Sequence, residues 1–564
     1  MVHTRQRPKS PNFATVLVLG VALAATALTA CATKSTSDGS RTAGIKFMGV
    51  VNPRQQMNDP ASRDRTVEDG ASDIVAENDD EEAAAATAST HVAPGILPST
   101  NHTQQETLDG VIYEHGRGSD GDKTPPDGGL AAGTLGVVSV TNQWFTFNDT
   151  AHALTFRESP DKFFLGHPSG RLIDPYVLYQ SGAPGRFWIV VQNNDHNTHG
   201  NMLIAVSSGD DVFGEWRWYQ TDLAYWGGVE HNQYCDEDKI GLDATAVYLT
   251  CTMNPNHPGT ATSADKRTAE LRIFTQAAFV GSSPPAVGSS IGSSWSKVGF
   301  TDIGTSRGSM PLLPASMSGT DVGVGEFIVS ADGAGGSGNG YSVYRVTKPE
   351  NCCNGSSVGP KIQPFHVTLP AAFHRGPGMH QPLSAPNITT GNTKISNPVW
   401  NRKTLSFSQT VACGWTGAPN TACVQFVQLK TDDFPHTMSI VNDWTLGYSD
   451  ADLSVPAVTA RPDGWKTMVY ARSSTSEFLS LWVVGIPPAS VCKNCMTAPV
   501  QLAVGTAPYA QIDRTGHRIR WGDYSTAAPD PDGKAVWVIG ETALSTTQFE
   551  SWVARTRLVG PTAA

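Results

Sequence analysis

The segment Arg520–Glu541, RWGDYSTAAPDPDGKAVWVIGE, constrains this chain most. Read with period two, it is a short strand, a Pro/Asp/Gly turn at Pro529–Gly533 and a second apolar strand, Ala535–Gly540. Trp521 and Trp537 put bulk on either side of the turn. Asp174–Gln192, DPYVLYQSGAPGRFWIVVQ, repeats the design around a Ser-Gly-Ala-Pro-Gly turn. A chain that repeats such hairpins can bury aromatic faces by stacking small sheets around an axis.

Further strands are predicted along the chain. They are Gly136–Phe147, Met202–Ser207, Trp216–Gln220, a strand–turn–strand over Lys239–Thr250, Leu271–Phe274, Glu326–Ser330 and Tyr341–Val346. Val399–Phe407, Val424–Leu429, Ala457–Ala460, Thr467–Ala471, Phe478–Gly485 and Ser551–Leu558 complete the set. No long helical period follows the N-terminus. The pairs recur irregularly, roughly every 40 to 60 residues, the scale of a propeller blade. The expected fold class is all-β, a single β-propeller of about six to eight blades, centred on seven. Abundant glycine (55) and proline (37) with only 16% charged residues suit many short strands and turns. A net charge of −11 argues against a nucleic-acid partner, which needs basic clusters to neutralise phosphates.

The N-terminus reads as an address. Arg5, Arg7 and Lys9 form a cationic start, and Phe13–Ala27 is an apolar run too short for a comfortable membrane span. Leu28-Thr29-Ala30-Cys31 then resembles the lipobox of bacterial lipoproteins. That resemblance implies a signal peptide over 1–30, acylation of Cys31 and a membrane partner through the lipid anchor. An exported chain on an outer membrane or cell surface is the expected location. Residues 31–110 are expected to be a disordered tether. Asp59–Glu82 holds ten acids against Arg63 and Arg65, and an Ala/Thr run follows. Such composition buries too little apolar surface to offset ordering entropy. A tether of about 75 residues spans roughly 50 Å. A loop-rich lead-in is expected over 111–135 and the propeller over 136–560.

Nine cysteines less Cys31 leave eight. In an exported chain an even number suggests disulfides. Cys235–Cys251 and Cys413–Cys423 are the local pairs. Cys352 and Cys353 are expected to pair across to Cys492 and Cys495. A zinc reading of Cys492-Lys-Asn-Cys495 lacks a second CxxC or a paired His.

Four motifs together resemble a group of exported bacterial β-propeller proteins, mostly of unknown function. They are Pro125-Pro126-Asp127 with GVVSVTNQWFTFND, then Asp174-Pro175-Tyr176-Val177-Leu178-Tyr179 with Gly185-Arg186-Phe187-Trp188. Asp238-Lys239-Ile240-Gly241 with Tyr248-Leu249-Thr250, and Arg520–Ser525, follow in order. Asp238 departs from the group's pattern by standing where a proline is usual. The resemblance implies a propeller and little about activity.

Asp127, Asp174, Asp238 and Asp523 lie at or near strand starts, where innermost propeller strands converge on a channel. There they could bind a structural divalent cation such as calcium through oxygen ligands, or pair as acid and carboxylate. The competing reading is that they cap turns. Arg520 could read an anion or serve as an internal ion-pair partner. A sialidase-like reading finds only Leu271-Arg272-Ile273-Phe274, without the expected proline, and one imperfect Asp-box-like turn, 208–216. His196-Asn197-Thr198-His199 reads as a solvated loop. Trp216-Arg217-Trp218-Tyr219, Tyr225-Trp226, Trp415 and Trp444 could offer stacking faces or fill the core. The function expected is binding of an extracellular protein or glycan. The alternative is a propeller hydrolase acting on polysaccharide.

Overall fold

In the computed structural model the described residues are 44–58, 98–99, 104–118, 127–194, 200–226, 229–255, 267–292, 294–298, 300, 311–317, 325–332, 336–352, 359–390, 393–434, 436–512 and 518–560. The leader, Cys31, the acidic run, Cys353 and the 196–199 loop lie outside them. No helix among them is long and apolar enough to cross a membrane.

The described strands form seven blades and one two-stranded ribbon, antiparallel except where Ser316–Met317 runs parallel to Ile395–Asn401. The innermost strands, in chain order, are Gly129–Ala132, Arg171–Gln180, Gln233–Leu242, Leu313–Pro314, Ile395–Asn401, Asp452–Ala460 and Thr526–Pro529. The architecture is therefore a seven-bladed propeller. Between each pair of neighbouring blades lies a separate apolar cluster. The last strand pairs show why. In Ala535–Ala543, Val536 and Val538 pack toward blade six, while Trp537 and Ile539 pack toward blade one. Both faces are buried, so period-two side chains read as a continuous apolar run.

The ring is closed by the N-terminal part of the chain. Gln105–Gly118 is the outermost strand of blade seven, antiparallel to Phe549–Val559. Its Glu106 is fully buried and accepts from Arg461 of blade six and from Thr556 of its neighbouring strand, at 2.5 and 2.8 Å. Lys46–Val51 adds a fifth strand to blade two, beside Trp216–Asp222, and a short helix, Pro53–Asn58, follows. The expected tether over 31–110 and lead-in over 111–135 are thus corrected in these stretches. Local composition marked them as unable to form a core. They fold because each adds to an edge whose apolar partners come from elsewhere in the chain.

Two further expectations change. Gly136–Phe147 is two strands, Gly136–Val140 and Phe145–Asp149. The Thr141 hydroxyl accepts from Trp144 N at 3.1 Å and turns the chain between them. Arg520–Ser525 precedes the innermost strand of blade seven, Thr526–Pro529. Cys235–Cys251 and Cys413–Cys423 are disulfides as expected, each joining paired strands. Cys492 and Cys495 join each other across a tight turn, 5.7 Å between Cα atoms, which corrects the pairing with Cys352 and Cys353. Several disulfides are consistent with an extracytoplasmic protein.

Candidate functional site

A repeated backbone device builds one end of the axial channel. Between first and second strands, the register slips at Ile173/Tyr176, Asp236/Lys239, Ser396/Val399 and Ser454/Ala457. Each slip is a bulge whose first residue has positive φ: Asp174 (55°), Glu237 (55°), Asn397 (39°) and Val455 (43°). Asp127, just before the innermost strand of blade one, is alike at 51°. Aspartate and asparagine tolerate this region better than other non-glycine residues, and a β-branched valine is poorly suited to it. Proline follows Asp174, Asn397 and Val455. A bulge leaves a residue outside the ladder, so a missing N–H there costs little. In blade three the same position is Asp238, which substitutes a carboxylate for an imide ring.

These bulges gather the residues singled out from the sequence. Asp127, Asp174, Asp238 and Asp523 all act on the Tyr524 hydroxyl: burial and then these four charges push it well above the usual tyrosine range. A hydrogen-bond chain runs around three blades. Asp523 N donates to Asp127 Oδ1 at 2.8 Å, Asn142 Nδ2 donates to Asp127 Oδ2 at 3.0 Å, and Asp174 N donates to Asn142 Oδ1 at 2.7 Å. Gln192 closes it by donating to the Asp174 carboxylate. Arg520 forms an ion pair with Asp523. Burial alone would raise Asp523, but Arg520, Lys394 and Arg518 outweigh it and hold the carboxyl below its usual value. Across the axis, Tyr176 Oη of blade two donates to Asn397 Oδ1 of blade five at 3.1 Å, and Asn397 Nδ2 donates to Ser525 O at 2.6 Å.

Asp127 thus ties blade one to blade seven through Asp523 N, 396 residues away, which is not a local turn cap, and the ion-pair reading describes Arg520. Asp238 differs. It is fully buried, and neither carboxyl oxygen has a hydrogen-bond partner among the described residues. Burial, relieved in part by Lys239, pushes it up to about 7. Glu541 is its counterpart on blade seven, 1% exposed, with both oxygens unpartnered among the described residues. Burial and then the Asp127 charge push it up to about 8. The Tyr524 hydroxyl likewise has no partner among the described residues. Lys239 Nζ sits 4.0 Å from the centre of the Tyr524 ring, a cation–π contact, and donates to Asp238 O at 2.8 Å. Above this floor, Asp174, Asp523, Arg520 and Lys394 are partly exposed, and Lys394 pairs with Glu237.

The expected calcium site is not formed by the described side chains. Among the described residues no three His, Cys, Asp or Glu side chains are grouped to hold an ion. Arg272, the arginine of the sialidase-like segment, is buried beside Glu270 and donates to Asp222 O and Tyr225 O, holding blade three to a loop. Trp216, Trp218, Tyr219 and Trp444 are core residues. Sequence reasoning missed Glu541, Tyr524, Lys239, Lys394 and Asn397. Glu541 follows directly on an apolar run and carries no local mark. The recurring Asp-Pro, Asn-Pro and Val-Pro dipeptides were the legible signal for the bulges.

No family model matches the chain, and no curated protein matches it. Solved structures are similar to it at a distance. Trypanosoma rangeli sialidase in complex with the inhibitor DANA has a TM-score of 0.34 at 9% identity, over 78% of this chain and 60% of that one. This chain therefore spans less than two thirds of that sialidase. A GH93 α-L-arabinofuranosidase of Fusarium graminearum in complex with arabinobiose has a TM-score of 0.34 at 8% identity, covering 81% and 98%. A Dyadobacter fermentans protein of unknown function has 0.25 at 10%, covering 58% and 96%.

Proposed function

We propose that the bulge-lined end of the channel binds an extracellular glycan, the chain being an exported propeller. The observation that carries this is the ring of non-glycine residues at positive φ, Asp127, Asp174, Glu237, Asn397 and Val455, all at one end of the axis. Such backbone costs of order 1–3 kcal/mol per residue and concentrates where side chains must be aimed. Here it aims carboxylates and amides toward one axis, a set of acceptors and donors suited to vicinal hydroxyls. The basic side chains are already committed: Arg520 to Asp523, Lys394 to Glu237. A neutral polyhydroxylated ligand fits this balance better than an anionic sugar.

The test is a glycan array probed with the full chain, followed by calorimetry on the best ligand. Asp174→Ala and Asp523→Ala are expected to weaken binding at least tenfold while the ring stays folded. Unchanged affinity in both folded variants would overturn the reading.

A second reading, hydrolysis of the bound glycan, is favoured by one contrast. Asp238 is held near neutrality while Asp523 is held ionised, both beside Tyr524. Environments that push two carboxyls apart can supply an acid and a base. Product release from the bound glycan, lost in Asp238→Asn with binding retained, would support it. Binding without turnover would reject it.

A further inference from the structure

We propose that the opposite mouth of the axial channel is a second binding site, for one uncharged apolar small molecule. This site is independent of the glycan reading. It is a cavity of about 370 Å³, within the usual size of small-molecule sites. Its volume comes from small residues on the innermost strands of blades one and seven: Ala131, Ala132, Ala527 and Ala528 line it where larger side chains would fill the axis. Leu130, Leu178 and Met317 supply aliphatic walls, and the Tyr176 and Tyr179 rings supply aromatic ones.

Three polar groups of the wall, on Asp530, Tyr179 and Thr526, are engaged. Asp530 Oδ2 accepts from Trp537 Nε1 and Arg555 Nε, both at 2.8 Å, and Oδ1 accepts from Asp532 N at 2.8 Å. The Tyr179 hydroxyl donates to Asp210, and the Thr526 hydroxyl donates to Gly128 O at 2.8 Å. The one carboxylate of the lining, Asp530, is paired with Arg555, in contrast with the bare carboxyls of the other end. Tyr176 separates the two: its ring lines the cavity while its hydroxyl reaches Asn397. The mouth is framed by Pro462, Pro529 and Pro531. Proline fixes φ, so the opening is preformed and little ordering entropy is lost on binding.

The probe is N-phenyl-1-naphthylamine, a neutral apolar fluorophore, titrated into the full chain. Saturable binding to one site is expected. Ala528→Leu, which fills the cavity, should weaken it at least tenfold, Leu178→Ala several-fold, and Asp523→Ala should leave it unchanged. A sulfonated naphthylamine should bind more weakly than the neutral probe. Unsaturable binding, equal affinity in folded Ala528→Leu, loss in Asp523→Ala, or tighter binding of the sulfonate would each overturn the proposal. Should Ala528→Leu fail to fold, a bromobenzene soak of wild-type crystals decides: bromine signal in this cavity supports the site, and its absence there refutes it.

Discussion

Replacing Glu106 by alanine is expected to destabilise the folded ring by about 3–5 kcal/mol. Glu106 is fully buried on the strand that completes blade seven. Its carboxylate accepts from Arg461 Nη2 at 2.5 and 2.7 Å, from Thr467 Oγ1 at 3.2 Å and from Thr556 Oγ1 at 2.8 Å. Those donors come from blade six and from the last strand of the chain. Truncation leaves a guanidinium buried with no counter-charge, which costs far more than the intact pair contributes. The pair itself is a weak source of stability, so Glu106→Leu with Arg461→Met should recover most of the loss. Guanidinium unfolding midpoints, with the slope checked for two-state behaviour, make the measurement. A shift under about 1 kcal/mol would show that closure does not depend on this contact, since that is the ordinary scale of a single mutation.

The second large effect is a dependence of stability on pH set by Asp238 and Glu541. Their folded values, about 7 and about 8, stand above the ordinary carboxyl values of 3.8 and 4.5. Between those limits the folded chain binds protons that the unfolded chain has released. Stability from these groups is therefore fully present below about pH 4 and is lost as pH rises toward 8. Each group accounts for on the order of 4 kcal/mol across that window. Asp238→Asn and Glu541→Gln mimic the protonated forms. Each variant is expected to gain on the order of 4 kcal/mol over wild type at pH 8.5 and no more than about 1 kcal/mol at pH 4.5. Equal differences at the two pH values would mean that neither carboxyl titrates in this window.

The same two residues show where legibility ends. Asp238 was conspicuous because it stands in a sequence position where a proline is usual, and the structure puts it at the bulge where blades two, five and six carry that proline. Glu541 was invisible, because a run of Ala-Val-Trp-Val-Ile-Gly reads as core whatever follows it. Asp127, Asp174, Asp238 and Asp523 were found as strand-start residues, and Arg520 as a neighbour of Asp523. That all four carboxylates act on the one Tyr524 hydroxyl is a fact about blades one, two, three and seven meeting on an axis. Lys394 and Asn397 belong to a loop and strand on blade five, some 220 residues from Tyr176, the partner of Asn397.

Period-two apolar patterning, turn residues and two local cysteine pairs determined the blades, because hairpin pairing and side-chain alternation act over fewer than about 20 residues. Ring closure by Gln105–Gly118 and the added edge strand Lys46–Val51 were decided only in three dimensions. Edge addition is governed by the apolar face that a distant blade leaves uncovered, and no local composition records that face. For the same reason the unpartnered carboxyls and the apolar cavity behind Tyr176 exist only once seven innermost strands share one axis.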